Sequence, residues 1–399
     1  MTDLLLSDPS TLARDEGYWQ RIAAQYDVEP GPINLEYGYF GRMTRHAGAT
    51  YQQHIDAINR CNSLPLRQHF DDIGSVEIRN AAAELLNVPH ASVALTQSAS
   101  ASLQTLIRNY NRLQAGDQVL VSDLDYDSVA NAMRWLARQR GAEVVELSHP
   151  HPVTYDNLMQ SYREAFARNP RLKLMPLTHV THRTGLVMPI REIAALAREH
   201  GIDVVLDGAH ALGQMEFDLE ALGIEFAGYN LQKWIGAPLS LGLTYIAPAR
   251  IGDIDPDMAD SRFALDDVRS RAPYGTPNVP AWLTLPTVFA EHKAIGGAAV
   301  KGARLSYLRD LWVSQARDIE GIEVLVPDDP RLYCGITSFR FTRHADQAAM
   351  VQRLLNEYNL FTVGREGSAC GPCIRVTPGF TTTPAEVQQL VDALRQLSR

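Results

Sequence analysis

From about residue 90 to residue 246 the chain alternates short, nearly continuous apolar runs with amphipathic stretches of helical period. The runs are SVALT from Ser92, QVLVS from Gln118, EVVEL from Glu143, LKLMPL from Leu172, DVVLD from Asp203, FAGYN from Phe226 and LGLTYI from Leu241. Their length and β-branched content predict strands. Their near-continuous apolarity predicts burial on both faces, as in a mainly parallel sheet wrapped by helices. The fold class is therefore α/β, with these runs as a seven-stranded sheet in a large first domain.

Beyond the turn-rich APYGTPNVP, residues from about Ala281 to Ile319 keep a helical pattern long enough to carry the chain out of that domain. A smaller α+β unit is expected to follow. Its strands are IEVLV from Ile322, GITSFRF from Gly335, LFTV from Leu360 and CIRVT from Cys373, with helices near Gln347 to Tyr358 and Pro384 to Leu397. The N-terminal segment, with the helical EGYWQRIAAQY, is expected to pack on this unit. The chain then divides into residues 1–30 as that segment, 31–280 as the large domain and 281–399 as the small C-terminal domain with its linking helix.

With 399 residues, 45% apolar and 21% charged, the chain can bury a large core. A formal net charge of -9 and scattered cations leave no basic footprint for nucleic acid, which favours small-molecule chemistry. The opening MTDLLLSDPS lacks a basic segment followed by an apolar stretch. No window approaches the roughly eighteen apolar residues of a membrane span, so a cytoplasmic location is expected. Four cysteines in a chain of this size do not make a disulfide framework.

Ligands of open α/β sheets bind beyond the carboxyl ends of the strands, so the residues there carry most weight. VVLD ends on Asp207 and continues into GAHALGQ, which sets Asp207 and His210 at the mouth of a site. A carboxylate there can pair with a cationic heterocycle nitrogen. FAGYN runs into Asn230, Leu231, Gln232 and Lys233, then Trp234 and the turn IGAP. A lysine at a strand end beside an aromatic ring is placed to lose solvent, which lowers its pKa and makes its amine nucleophilic. SVALTQSASAS carries small hydroxyl residues into a helix starting near Ala99, whose free N–H groups and dipole suit a phosphate. Each feature alone has an ordinary explanation as a surface lysine or a helix cap. Together they meet the needs of pyridoxal 5'-phosphate: a partner for its ring nitrogen, an amine for its aldehyde and a helix terminus for its phosphate.

The segments LTQSASAS, LTHVTHRTGLVMPI, VVLDGAHALGQ, GYNLQKWIGAP and YGTPNVPA resemble successive motifs of the class V aminotransferase family of pyridoxal-phosphate enzymes, the fold type I group. LEYGYFGRM and IRVTPGFTT look most like its isopenicillin N epimerase-like branch, which also resembles amino-acid C–S lyases and transaminases. The resemblance implies Lys233 as the Schiff-base lysine, Asp207 as partner of the pyridine nitrogen, and His210 beside the ring's phenolic oxygen or phosphate. It implies that Ala99 and Ser100 hold the phosphate through backbone N–H and hydroxyl groups, with Asn230 and Gln232 closing the other side. Gln232 stands where many relatives have histidine; it can donate to phosphate but adds no charge and shuttles no proton. Tyr126, in DLDYDS, stands where many place a histidine or another aromatic ring stacked on the cofactor, and keeps the stacking without the imidazole. His182 stands where many have asparagine or serine, as a direct contact or a hydrogen bonder one step removed. Gly275 and Thr276 match the loop that reaches the neighbouring subunit's phosphate, which implies a homodimer with shared active sites. Arg375, in CIRVT, matches the arginine that receives the substrate's α-carboxylate through two parallel hydrogen bonds. On the same reading Tyr39 and Phe40 line the substrate entrance.

Cys370-Gly371-Pro372-Cys373 has the letters of a dithiol redox motif, yet it leads straight into a strand, not a helix that would lower a thiol pKa. No second ligand pair for zinc lies nearby. REGSAC around Cys370 resembles the mobile cysteine loop of the family's desulfurases, but Cys370 stands only five positions before Arg375. The leading expectation is an aminotransferase- or epimerase-type enzyme acting on a small amino-acid substrate. Lys233 takes the Cα proton, Asp207 keeps the ring nitrogen protonated, and Tyr126 is the candidate second acid for epimerisation. The alternative is a cysteine desulfurase or C–S lyase with Cys370 as sulfur acceptor. A degenerate, non-catalytic scaffold is raised by Gln232, Tyr126 and His182, and opposed by the joint presence of Lys233, Asp207 and Arg375. No GxGxxG follows the early strands as in a nicotinamide dehydrogenase, and no basic recognition helix marks a DNA-binding regulator.

Overall fold

The computed structural model describes residues 8–399 apart from 260 and 273–274. Its larger sheet is built from β1 (Val93–Thr96), β2 (Gln118–Ser122), β3 (Glu143–Leu147), β4 (Leu172–Thr178), β5 (Asp203–Asp207), β6 (Phe226–Asn230) and β7 (Gly242–Ile246). The seven strands lie in the order β1-β7-β6-β5-β4-β2-β3. All run parallel except β7, which is antiparallel to both neighbours. This is the mainly parallel α/β sheet that the apolar runs predict. Every residue of β1, β6 and β7 is buried. The edge strand β3 instead exposes Glu143 and Glu146, charges that keep an edge from pairing with another chain. Because the other strands share one direction, the loops after β1, β2, β4, β5 and β6 open on a single edge, which draws Ala99, Tyr126, His182, Asp207 and Lys233 together.

The smaller sheet holds β8 (Ile322–Val324), β9 (Thr337–Phe341), β10 (Val363–Arg365) and β11 (Cys373–Val376), antiparallel in the order β10-β11-β9-β8. The run LFTV does not form one strand. Leu360–Phe361 pairs in parallel with Ile33–Asn34, while Val363 begins β10. The pairing continues through Tyr37 N–H to Thr377 O at 2.9 Å and Thr377 N–H to Leu35 O at 2.7 Å. A stretch expected to open the large domain therefore hydrogen-bonds to the small unit, and carries Glu36 and Gly38 alongside Arg375.

The helical pattern from Ala281 to Ile319 is two helices, Val279–Ala294 and Gly297–Ala316. Gly296 and Gly297 take φ of 93° and 67°, which glycine adopts freely and an L side chain does not, so the apolar period continues while the axis breaks. The N-terminal helix Glu16–Ala23 is capped by Asp15. Its Trp19 packs against Phe380, and Arg304 of the second linking helix donates to Ala13 O and to the Glu16 carboxylate. Residues 1–7, which carry most of the opening segment read for an export signal, lie outside the described residues. Among the described residues no helix is long and apolar enough to cross a membrane.

Candidate active site

β6 ends at Asn230 and the chain turns at once, so Lys233 leaves the sheet at its carboxyl edge. The turn is held from several sides. Gly41 N–H donates to Gln232 O at 2.8 Å, at a position where a Cβ would stand 1.8 Å from the Lys233 carbonyl oxygen. Lys301, on the second linking helix and 2% exposed, donates from Nζ to Trp234 O at 3.0 Å. The Lys233 amine lies 2.9 Å from His210 Nε2. Burial first, then the Arg375 charge, lowers the Lys233 pKa to about 7. Burial also holds His210 well below the ordinary imidazole range, so its neutral ring accepts from the lysine.

Asp207, at the end of β5 and 4% exposed, accepts from Ala209 N–H at 3.0 Å. Burial pushes its carboxyl up, opposed by that hydrogen bond and by Lys233. After β1, Ser98 caps the Ala99–Arg108 helix by accepting from Ala101 N–H at 3.1 Å. Ala99 N–H is committed to Asn230 Oδ1 at 2.9 Å, to which Gln232 Nε2 also donates at 3.3 Å. The phosphate donor expected at Ala99 is thus used internally, because Asn230 bridges β6 to the helix start; the Ser100 backbone and hydroxyl remain as donors. Tyr126 and His182 meet edge to face, with centroids 5.1 Å apart. Burial and neighbouring arginines lower His182 to about 2, so its ring is neutral.

A cavity of about 940 Å³ joins these groups; Tyr39, Ala99, Ser100, Tyr126, His182, Asp207, His210, Asn230, Gln232, Lys233 and Arg375 all line it. Phe40, Gly275 and Thr276 do not. Phe40 is half-buried elsewhere, and Gly275 and Thr276 sit on an exposed loop away from this chain's own cavity. Arg375 is not a free guanidinium. It donates from Nη1 to His182 O at 2.7 Å and from Nη2 to Glu36 Oε1 at 2.6 Å. Arg365, which also lines the cavity, donates to the same Glu36 oxygen at 3.3 Å. Glu36 and Arg365 stand inside the segments LEYGYFGRM and REGSAC, where no local pattern marks them as ion-pair partners.

Cys370 lies outside this cavity and lines a separate narrow crevice with His149 and His151. Its loop is tied down. Arg183 donates to Glu366 O at 2.6 Å, Ala369 N–H donates to Asp123 Oδ2 at 2.6 Å, and Arg340 donates to Cys370 O. Cys373 is buried, which pushes its thiol up to about 12.

Residues 50–390 match the aminotransferase class-V family. The chain belongs to that family. It is 27% identical over 405 residues to the isopenicillin N epimerase of Streptomyces clavuligerus, covering 95% of this chain and 98% of that protein. A probable cysteine desulfurase of Vibrio cholerae is 28% identical over 261 residues, 62% of this chain and 63% of that one. The solved structure of the cysteine desulfurase CsdA from Escherichia coli superposes with a TM-score of 0.80 at 20% identity, covering 95% of this chain and 98% of its own. This chain is thus a class V, pyridoxal-phosphate-dependent enzyme of fold type I. The site fits that cofactor. Besides Lys233, Asp207 and the Ser100 turn, His210 Nδ1 and Gln232 Oε1 are buried without any protein partner, as polar atoms awaiting a polar ligand are.

Proposed function

We propose that the chain removes the Cα proton of an amino acid in an aminotransferase- or epimerase-type reaction, and does not store sulfur on Cys370. The observation that carries this reading is the buried Lys233 amine, lowered to about 7 and 2.9 Å from a neutral His210, at the wall of the cavity that Asp207 and Arg375 share. Lys233, Asp207 and the Ser100 donors would hold pyridoxal phosphate, which when bound supplies the electron sink that makes a Cα proton acidic. Arg375 orients the substrate carboxylate, Lys233 in its neutral form takes the proton, and His210 receives the hydrogen bond that aims the amine. Asp207, whose carboxyl burial pushes up and the Ala209 N–H and Lys233 pull down, would pair with the cofactor's ring nitrogen and hold its proton there. Tyr126 lines the same cavity and is the candidate for the second acid that an epimerase needs. The placement of Cys370 in another crevice, on a loop tied at both ends, supports this reading over a desulfurase. A C–S lyase needs no acceptor thiol and is separated by its product.

The protein acts as a homodimer in which the exposed Gly275 and Thr276 complete the partner's phosphate site. Size-exclusion chromatography with light scattering should return twice the chain mass. Incubation with a panel of amino acids in deuterated water should give Cα deuterium uptake, with keto acid, inverted amino acid or sulfide identifying the branch. Lys233→Ala should abolish both the uptake and the visible absorption that comes from cofactor linked to the Lys233 amine; uptake that survives in that variant would sink the proposal.

A further inference from the structure

The carboxylate end of the cavity has a feature the reaction does not require. Glu36 Oε1 accepts from Arg375 Nη2 at 2.6 Å and from Arg365 Nη2 at 3.3 Å. Two guanidinium cations thus share one internal carboxylate. The Arg375 and Glu36 side chains are 1% and 7% exposed and that of Arg365 26%, so water reaches Arg365 but compensates little of the Arg375–Glu36 pair. Arg365 and Arg375 line the cavity, whereas Glu36 does not. Each guanidinium keeps its Nε buried without a partner. What is left over is one positive charge, which is what one carboxylate neutralises.

We infer that Glu36 is a specificity-determining residue that sets how many carboxylates this end of the site accepts, restricting it to substrates with a single carboxylate within reach of Arg365 and Arg375. The inference rests on the reading above, in which Arg375 receives the α-carboxylate. Glu36 cancels one of the two guanidinium charges. A second carboxylate one or two carbons away, as in a short dicarboxylic amino acid, finds no second uncompensated charge on Arg365 and Arg375. Without that charge, Arg365 becomes a second anion receptor. A freed charge-assisted hydrogen bond is worth roughly 1.5–3 kcal/mol, or about tenfold and more in affinity.

Propionate and succinate test this without any reaction, because neither has an amine. Each is titrated into the holoenzyme with tryptophan fluorescence as readout. Wild-type protein should bind the two within about threefold of each other, and Glu36→Gln should prefer succinate by about tenfold or more. The double variant Glu36→Gln with Arg365→Gln should return the ratio to the wild-type value. Arg365→Gln alone removes the spare positive charge and should weaken propionate about tenfold, which keeps the inference testable if Glu36→Gln fails to fold. An unchanged ratio in Glu36→Gln, a succinate preference that persists in the double variant, or a wild-type protein that already prefers succinate would each overturn it. Failure of the proposed Cα chemistry would look different: both acids would bind as described while amino acids took up no deuterium.

Discussion

At the scale of single residues, an amine is nucleophilic and basic only in its neutral form, and burial lowers the Lys233 pKa to about 7. The sign follows. Below that pH the amine is protonated and can neither attack an aldehyde nor take a proton, so reconstitution of the cofactor-free protein should slow about tenfold per pH unit below 7 and level off above it. Stopped-flow absorbance between pH 5 and 9 measures this. Gly41→Ala should be as harmful as a direct loss of function, because the new Cβ would collide with the Lys233 carbonyl. A displaced amine costs on the order of a hundredfold in kcat, with bound cofactor retained. The positions of Lys233 and Asp207 at the site were legible in the sequence because each follows or ends an apolar run, whereas Arg375 was named only through the family resemblance. Glu36 was not legible, since its partner Arg375 lies 339 positions away and only the folded chain brings them together.

At the scale of elements, the seven strands of the large sheet were legible because burial on both faces leaves an apolar run that only a few polar ends interrupt. Two features were not. The break at Gly296 and Gly297 leaves the helical period intact, and the split after Phe361 depends on pairing with Ile33–Asn34, which no local pattern announces. The donor turn after β1 hangs on the Ser98 cap; Ser98→Ala should cost about 1 kcal/mol of stability and weaken cofactor retention, read by dialysis and absorbance. The Cys370 loop reads as a mobile element by its letters but is an anchored one by its hydrogen bonds to Arg183, Asp123 and Arg340. Cys370→Ala should therefore keep kcat within about twofold on the natural amino acid.

At the scale of the whole molecule, Lys301 ties the two units through a buried amine that burial lowers to about 7 from an ordinary value of 10.5. Between those values the unfolded chain binds more protons than the folded one, so stability should rise with pH across roughly 7 to 10.5, by at most about 1.4 kcal/mol per unit. Lys301→Met should flatten that slope in urea unfolding; an unaltered slope would show that Lys301 does not carry it. Lys301 rides on the Gly297–Ala316 helix and grips the carbonyl next to Lys233, while Phe380, a few residues past Arg375, packs under the same amine at 4.7 Å. One buried amine thus bears both on the backbone next to Lys233 and on the ring that follows the Arg375 strand. Lys301→Met should therefore loosen the Lys233 turn and the Phe380 packing together, so that a substitution outside the cavity is felt in both units.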